Sequence, residues 1–173
     1  YNILVQLGPS YYESYVLTPG KADTLPAFSV GDYRFVTPIC FEDLVGSLVA
    51  RMVRDGSGGK RADFVVNLTN DGWFSGFEMP QHLQAAVFRS IENRVPTARS
   101  VNTGVSGFID SIGHPHDLVA AGQEGWSVAT LMVDRRVTVY TRVGEAFSGL
   151  CVLATAAMIA VQVRQMRMAR KRP

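Results

Sequence analysis

The chain has 173 residues, of which 47% are hydrophobic and 18% charged, which suits one folded domain with a core and excludes a disordered chain. Its formal charge of +2 is uneven, because five of its seventeen basic residues lie in the last ten positions: Arg164, Arg167, Arg170, Lys171 and Arg172. Residues 1–163 therefore carry 12 basic and 15 acidic side chains, a net charge of −3. This balance argues against a nucleic-acid-binding face, so we predict no nucleic-acid partner.

The first predicted elements surround one cysteine. Residues 1–7 have the pattern of a strand, residues 8–26 have no clear period, and residues 33–39 predict a strand that runs into Cys40. From Leu44 apolar residues recur at helical spacing, and Gly56 ends this predicted helix. At the start of a helix the macrodipole favours a thiolate, and backbone amides point at an incoming oxyanion. Cys40 is therefore a candidate nucleophile, with a packed core thiol as the alternative.

The middle of the chain alternates strands and helices. The glycine-rich residues 56–61 lack the flanking strand and helix of a phosphate-binding loop, so they predict a flexible turn. Residues 62–68 predict a buried strand that delivers residues 69–74 to a loop, where α/β folds usually place functional groups. Further predicted elements are a helix at 79–94, strands at 98–102 and 105–110, a turn at 113–115, and strands at 126–133 and 137–141. This order predicts an α/β layer structure.

An almost uncharged segment, residues 146–163, precedes the basic tail, residues 164–173. Eighteen residues are near the lower limit for a transmembrane helix, and positive charge directly after such a segment marks the cytoplasmic side. We therefore predict a transmembrane helix with the preceding domain on the opposite face of the membrane; the alternative is a buried C-terminal helix. No signal peptide opens the chain, so we expect the sequence to lack its beginning.

Several side chains are candidates for chemistry. Glu42 could orient a partner of Cys40, whereas Asp43 is explained by the helix dipole alone. His82 could line a site or pack in the core, and the three histidines show no zinc-site spacing. Trp73 and Phe74 could contact lipid or cover a core edge, and we assign them, with His82, to substrate binding. The simplest interpretation of the remaining polar groups is as ion pairs: Arg89, Glu92, Arg94 and Arg99. The two cysteines, Cys40 and Cys151, lie in very different surroundings and predict no disulfide.

A series of motifs gives this chain a resemblance to a known family. In chain order they are Ile39-Cys40-Phe41-Glu42-Asp43, Asn67-Leu68-Thr69-Asn70-Asp71-Gly72-Trp73-Phe74, Pro80-Gln81-His82, Arg89-Ser90-Ile91-Glu92-Asn93-Arg94-Val95-Pro96, Arg99-Ser100-Val101-Asn102-Thr103-Gly104-Val105-Ser106 and Ile109-Asp110. The set resembles the C-terminal part of the apolipoprotein N-acyltransferases, which are membrane members of the nitrilase, or carbon–nitrogen hydrolase, superfamily. The resemblance covers residues 28–145, and the apolar segment and basic tail are similar to the last membrane helix of that family.

The resemblance implies a partial α-β-β-α nitrilase-like sandwich in residues 1–145, on the periplasmic side of the bacterial inner membrane. It implies a Glu-Lys-Cys triad without a cofactor, in which Cys40 matches the nucleophile. Glu42 matches the supporting acid, and the backbone amide of Phe41 is a candidate oxyanion donor. The implied partners are a phospholipid, which donates an acyl chain to the thiolate, and a lipoprotein, whose N-terminal amine then attacks the thioester.

The chain departs from this pattern in two places. The triad glutamate of the family lies upstream of these residues, and the segment expected to hold its lysine, residues 8–15, contains none. We assign neither Lys21 nor Lys60 to that role. The chain is therefore expected to be a fragment of an acyltransferase or an inactive remnant. The alternatives are a nitrilase-type amidase, which releases its acyl group to water, and a non-catalytic membrane-anchored module.

Overall fold

The computed structural model describes residues 25–74 and 76–169, and a six-stranded sheet is at its centre. The strands lie in chain order across the sheet. They are β1 (Phe28–Val30), β2 (Tyr33–Val36), β3 (Phe64–Asn70), β4 (Thr97–Asn102), β5 (Ser106–Ile109) and β6 (Pro115–Val119). The β2–β3 and β3–β4 pairs are parallel and the other pairs are antiparallel. Each parallel pair is joined by a crossover that contains a helix, as parallel pairing requires.

Two short helical turns follow the carboxyl ends of the parallel strands β2 and β3. A 3₁₀ segment, Cys40–Leu44, which we call the Cys40 turn, follows β2, and a second, Asp71–Trp73, the Asp71 turn, follows β3. The α-helices are α1 (Gly46–Val53), α2 (Glu78–Asn93), α3 (Val139–Val143) and α4 (Ala146–Ala169). The two turns therefore lie at the same edge of the sheet, which is where parallel strands bring chemistry together.

One face of the sheet packs on helix α1. Side chains alternate along the strands, so Val36 on β2 and Val65 on β3 point to the same side. They pack with the buried face of α1 in one cluster: Val36, Val49, Met52, Val53, Ala62, Val65 and Val95. Fully burying a valine of this kind stabilises a fold by about 1.5 kcal/mol or more, so this cluster anchors the strand that leads to Cys40.

The opposite face of the sheet carries a row of aromatic rings. Phe28 stacks on Phe35 at 5.4 Å between ring centroids, and Phe35 stacks on Phe64 at 5.2 Å. These three residues lie opposite one another in the register of β1, β2 and β3. Phe28 is about half exposed, at 47%. The row therefore forms an apolar strip on the face of the sheet opposite Val36 and Val65.

The sequence predicted the two crossover helices and the strands around them. The helix predicted from Leu44 is observed as the Cys40 turn followed by α1, and the helix predicted at 79–94 is α2. Helix α2 ends with Arg94 in the left-handed conformation, φ 53°, and Pro96 follows. The strands predicted at 33–39, 62–68, 98–102 and 105–110 correspond to β2, β3, β4 and β5. The strand predicted at 1–7 and residues 8–24 of the irregular segment lie outside the described residues.

Two predicted strands are wrong. Residues 126–133 are not in a strand, although their apolar residues alternate with small and polar ones. A strand needs a neighbouring strand to pair with, and none of the described strands pairs with these residues. Residues 137–141 overlap α3, whose N-cap is Thr138: its hydroxyl accepts a hydrogen bond from the Thr141 amide. The sequence patterns also missed β1 and β6, and β6 begins at Pro115, the last residue of the predicted turn.

The predicted apolar C-terminal segment is helix α4. Its residues Ala146–Met168 form a helix long and apolar enough to cross a bilayer, and an 18-residue window of it has a mean hydropathy of 2.0 and is 0% buried. The helix spans about 36 Å at 1.5 Å per residue, against about 30 Å for a bilayer core. It begins at the predicted residue and continues past the predicted end, residue 163, so that Arg164 and Arg167 belong to it.

Candidate active site

Cys40 occupies a strained turn at the carboxyl end of β2. Ile39 pairs with Leu68 of β3 in an isolated parallel bridge, and the chain then reverses into the Cys40 turn. Cys40 has φ 51°, in the left-handed region that costs a residue with a Cβ about 1 kcal/mol or more. This conformation holds the half-buried thiol at the tip of a sharp strand-to-helix turn. Such a geometry presents a nucleophile and the following backbone amides to the same point in space.

Glu42 and Phe41 shape this turn. The carboxylate of Glu42 accepts a hydrogen bond from the Ile39 amide at 2.8 Å, and the Glu42 amide donates to the Ile39 carbonyl at 3.1 Å. Glu42 therefore fixes the turn by a reciprocal pair of bonds across Cys40. The backbone amide of Phe41 contributes to lowering the pKa of Cys40, and the Phe41 side chain is 66% exposed. The supporting role of Glu42 and the oxyanion role of Phe41 stay predictions.

The surroundings of the sulfur lower the pKa of Cys40 below its ordinary value. The largest cause is the hydrogen bond from the Thr69 hydroxyl, which burial of the thiol opposes. The backbone amides of Asn70 and Phe41 and the positive charge of His82 add to the lowering. His82, on helix α2, is thus the cation nearest in effect to this cysteine. These groups favour the thiolate, the form of cysteine that acts as a nucleophile.

His82 lies beneath the Cys40 turn, between two carboxylates. Its Nε2 is 2.8 Å from Asp43 Oδ1, and its Nδ1 is 2.7 Å from Asp71 Oδ1. The side chain is only 2% exposed. A neutral imidazole donates from one nitrogen only, so two carboxylate partners favour the imidazolium. Accordingly the pKa of His82 is raised, first by its hydrogen bond to Asp43, with burial acting against the shift.

Arg99 of β4 completes this buried network. Its Nη1 donates to Asp43 Oδ2 at 2.9 Å and also to Asn67 Oδ1, and its Nη2 lies 3.4 Å from Asp71 Oδ2. With His82 protonated, two cations face two carboxylates, so the buried charges balance. Removing one partner of a buried ion pair destabilises a fold far more than the intact pair stabilises it. The network therefore fixes the Cys40 and Asp71 turns relative to β4.

The close packing of Gly104 on this network predicts an effect of a small substitution. A Cβ on Gly104 would overlap the Asp71 carboxylate and lie 2.7 Å from Val101 Cγ1. Because Asp71 is held by its partners and cannot move aside freely, Gly104→Ala is expected to lower the free energy of unfolding by about 1–3 kcal/mol. Chemical denaturation checks this, with the exposed Ser100→Ala on β4 as the control, expected within about 0.5 kcal/mol of wild type. A Gly104→Ala variant as stable as this control would contradict the packing.

The charge of His82 predicts a pH dependence of stability. Its pKa is raised in the fold, so its stabilising contribution is complete below the ordinary histidine pKa of about 6.5 and is lost as the pH rises through the raised value. The free energy of unfolding of the wild type is expected to fall over this window, and His82→Gln is expected to remove that decrease. Denaturation at a series of pH values measures it. As the control, His114→Gln, at a 75% exposed site, should keep the wild-type pH dependence of stability. If His82→Gln kept it too, the pH dependence could not be assigned to His82.

The aromatic residues predicted to bind substrate lie beside this network. Trp73, at the end of the Asp71 turn, is 84% exposed. Phe74 is partly buried, and its ring meets the His82 ring edge-on at 5.5 Å between centroids. Trp73 is thus free to contact another molecule, whereas Phe74 and His82 are parts of the interior that supports the site. Their roles in substrate binding stay predictions.

The structure also places the residues that sequence reasoning undervalued. Asp43, which the helix dipole seemed to explain, is buried and pairs with Arg99 and His82. Of the expected ion pairs, Arg89 and Glu92 do pair along α2 at 2.8 Å, but Arg99 belongs to the interior of the site. Thr69, Asn67 and Asp71 carried one usable signal: they are polar residues at the end of a buried strand.

Lys60 lies away from Cys40. Its amine donates to the carbonyls of Arg94 at 2.6 Å and of Asp134 at 2.7 Å, and burial lowers its pKa to about 8. It precedes the first residue of β3, whereas Cys40 contacts Thr69 and Asn70 at the other end of that strand. Seven strand residues separate the two ends by about 20 Å. Lys60 is therefore not a member of the site.

Comparison with known proteins agrees with this geometry. A family model described as carbon–nitrogen hydrolase matches residues 2–139. An apolipoprotein N-acyltransferase of Geobacter metallireducens is 34% identical over 142 residues, 82% of this chain and 26% of the relative. Apolipoprotein N-acyltransferase 1 of Treponema denticola is 33% identical over 86% of this chain and 28% of its own. The chain thus spans about a quarter of the length of these relatives.

The fold matches solved structures as well. The crystal structure of Nit3 from Saccharomyces cerevisiae, a member of branch 10 of the nitrilase superfamily, superposes with a TM-score of 0.52 and 20% identity. The match covers 66% of this chain and 42% of Nit3. The predicted nitrilase-like fold and the resemblance to apolipoprotein N-acyltransferases are both confirmed. The chain belongs to the carbon–nitrogen hydrolase family.

Proposed function

We propose that this chain supplies the nucleophile of a phospholipid-dependent acyltransferase that acts on lipoproteins. The observation that carries the proposal is Cys40, a cysteine on a strained turn with φ 51°, whose surroundings lower the pKa of its thiol. A thiolate so placed forms an acyl thioester and later leaves from it. The names of the relatives support acyl transfer rather than hydrolysis.

In the first half of the reaction the Cys40 thiolate attacks the carbonyl carbon of a phospholipid ester. A C–S bond forms, and the carbonyl oxygen becomes an oxyanion, for which we propose the Phe41 amide as a hydrogen-bond donor. Collapse of this intermediate breaks the C–O ester bond and expels a lysophospholipid alkoxide, which takes up a proton. The acyl chain remains on Cys40 as a thioester.

In the second half the N-terminal amine of a lipoprotein attacks the thioester carbonyl. A C–N bond forms, the C–S bond breaks, and the amine loses a proton as the thiolate leaves. An amine attacks a thioester faster than an oxygen ester, so splitting the transfer through Cys40 lowers both barriers. We assign the general base and the catalytic lysine to no described residue.

The membrane is the medium in which this reaction takes place. We propose that residues 146–163 span the inner membrane, that residues 164–173 are cytoplasmic, and that residues 1–145 belong to a periplasmic nitrilase-like domain. The length of α4 supports the membrane span. The five basic residues in the last ten positions support the orientation. The aromatic row, Phe28, Phe35 and Phe64, is suited to packing against a second sheet of such a domain.

The exposed aromatic residues beside Cys40 suit an acyl substrate. Trp73 and Phe41 both expose most of their side chains at the edge of the sheet that presents the sulfur. We propose that they contact the acyl chains of the phospholipid and that Phe74 supports Trp73 from below. Because an acyl chain is apolar, its contact with these aromatic rings needs no hydrogen-bond partner.

The test is the fate of the acyl chain in the intact natural protein. With a phospholipid and a synthetic lipopeptide that has a free N-terminal amine, mass spectrometry should detect the N-acylated peptide together with one lysophospholipid per transfer. Free fatty acid as the main product would instead identify a nitrilase-type hydrolase. Formation of neither product would identify the protein as a non-catalytic module.

A further inference from the structure

A two-residue joint connects helix α4 to helix α3. Only Gly144 and Glu145 lie between the end of α3 and the start of α4. Gly144 has φ 58° and ψ −132°, a conformation that residues with a Cβ rarely adopt. Because glycine restricts the backbone so little, side-chain contacts are needed to fix the direction in which α4 leaves the domain.

A side-chain hydrogen bond bridges this joint. The Tyr140 hydroxyl, on α3, donates to Glu145 Oε1 at 2.7 Å. The other carboxylate oxygen of Glu145 accepts from the Ser148 hydroxyl at 3.1 Å, and its carbonyl accepts from the Gly149 amide at 3.0 Å. Glu145 thus caps the first turn of α4, where the helix dipole favours a negative charge. Tyr140 therefore holds α4 by the residue that caps it.

Helix α3 is in turn fixed on the end of α2. The Glu92 carbonyl of α2 accepts hydrogen bonds from two hydroxyls, those of Thr138 and Thr141, the second at 3.4 Å. Thr141 is completely buried. The Glu92 carboxylate pairs with the Arg89 guanidinium, one turn earlier on α2, at 2.8 Å. These contacts join α2 and α3 into one unit, which includes both Arg89 and Tyr140.

The same guanidinium holds the end of the Cys40 turn. Arg89 Nη1 donates to the carbonyls of Asp43 at 3.3 Å and of Leu44 at 3.2 Å. Gly46 follows this turn as the first residue of α1. A Cβ on Gly46 would lie 2.9 Å from Arg89 Nη1 and 2.7 Å from the Tyr140 hydroxyl oxygen. The guanidinium and the hydroxyl therefore pack against the same backbone, directly after the Cys40 turn.

We propose that Arg89 and Tyr140 join the Cys40 turn to the start of α4, and that they are thereby positioning residues, which hold the thiol at a fixed distance from the bilayer surface. The inference rests on the proposed function for the membrane span of α4 and for the phospholipid donor. The ester groups of phospholipids lie in the interfacial region of a bilayer, at a depth that the lipid determines. A nucleophile that moves relative to its membrane helix therefore loses the orientation on which a fast attack depends.

The first test is the distance between nitroxide labels on Cys40 and Cys151 in the intact natural protein, with any other cysteine replaced by serine. Cys151 is exposed and lies in the second turn of α4. Pulsed electron paramagnetic resonance measures the distribution of distances. The vesicles contain ether-linked phosphatidylethanolamine and phosphatidylglycerol, which hold no ester for a thiolate to attack. We expect a narrow distribution in the wild type.

Variants at the two ends of the connection should broaden this distribution. Tyr140→Phe loses only the hydroxyl, and Arg89→Met loses the bonds to the Cys40 turn. The control is Tyr33→Phe, at a 51% exposed tyrosine of β2, which should leave the distribution unchanged. A Tyr140→Phe distribution as narrow as that of the control would overturn the proposal. Where Arg89→Met fails to fold, Tyr140→Phe decides the outcome.

Substitutions of Glu145 show whether the Tyr140 hydroxyl acts through this carboxylate. Glu145→Ala removes the acceptor and should broaden the distribution as Tyr140→Phe does. Combining these two changes should add little, because both remove the same bond. Glu145→Gln keeps an acceptor oxygen and should stay close to wild type. Broadening in the double variant equal to the sum of the two single effects would overturn the proposed connection.

The second test compares two acyl donors by mass spectrometry of the Cys40 peptide. One is a diacyl phospholipid in a bilayer, and the other is p-nitrophenyl butyrate in water, whose carbonyl carbon forms the C–S bond as p-nitrophenolate leaves. Tyr140→Phe is expected to slow thioester formation from the phospholipid about three- to tenfold, the equivalent of one hydrogen bond. Reaction with p-nitrophenyl butyrate should be unchanged. Equal losses with both donors would overturn the proposal, because they would assign the effect to the thiol itself.

The distance measurement needs no acyl transfer, so it separates this inference from the proposed function. A broader distribution in Tyr140→Phe, in a protein that forms no acyl product, would refute the acyltransferase and leave the positioning roles standing. Normal acyl transfer by the wild type, with no broadening in Tyr140→Phe, would do the reverse.

Discussion

Replacing Cys40 by alanine is expected to abolish lipoprotein acylation by the intact natural protein, with a loss on the order of 10⁴-fold or more, as for other enzymes that lose their nucleophile. In the proposed mechanism no other group takes over, because the acyl chain has to leave the phospholipid as a thioester before the amine attacks. The rate of formation of N-acylated lipopeptide measures the loss. The Cys40→Ala variant should still fold like the wild type, since the half-buried thiol contributes little packing.

The matched control is the other cysteine of the chain. Cys151 lies on the exposed surface of α4, and Cys151→Ala should acylate at the wild-type rate. If Cys40→Ala retained acylation, the nucleophile would have to be elsewhere and the assignment of Cys40 would be wrong. If both variants lost activity equally, the loss would report damage to the protein rather than missing chemistry.

Replacing Arg99 by methionine is expected to lower the free energy of unfolding by about 3–5 kcal/mol, the usual cost of removing one partner from a buried ion pair. Methionine fills much of the same volume, so the main effect is electrostatic. Asp43 Oδ2 and Asn67 Oδ1 lose their donor, and two buried carboxylates face His82 alone. Chemical denaturation measures the loss.

Two comparisons show whether this loss arises from uncompensated charge. Arg51→Met, at an exposed position on α1, should change the free energy of unfolding by no more than about 0.5 kcal/mol. Adding Asp43→Asn to Arg99→Met removes one of the stranded charges and should recover part of the stability. If the effects of Arg99→Met and Asp43→Asn on the free energy of unfolding simply added in the double variant, that result would contradict the network as described.

Local sequence patterns predicted most of the scaffold, because each element carried its own signal. The run into Cys40, the periodic apolar residues of α1 and α2 and the charge-free residues of α4 each depend on neighbours within one element. Residues 126–133 showed the limit of such patterns, since a strand also needs a partner edge that the alternation of side chains does not reveal.

The candidate site was predictable only in part. Cys40 was recognised from its place at the end of a strand and from the motifs around it. Asp43, His82 and Arg99 come from three separate elements, and each has an ordinary explanation when considered alone. Their function as one charge-balanced network depends on the fold bringing them together, 39 and 56 residues apart in the chain. Sequence spacing alone contains no measure of that contact.

The most direct test of the central claim is the mass of the Cys40 peptide after the intact natural protein is incubated with a dipalmitoyl phospholipid and no acceptor. We predict that this peptide gains one palmitoyl group, that neutral hydroxylamine removes it as expected for a thioester, and that the lipopeptide acceptor discharges it into an N-acylated product. An unmodified Cys40 peptide in a preparation that nevertheless forms N-acylated lipopeptide would contradict the account.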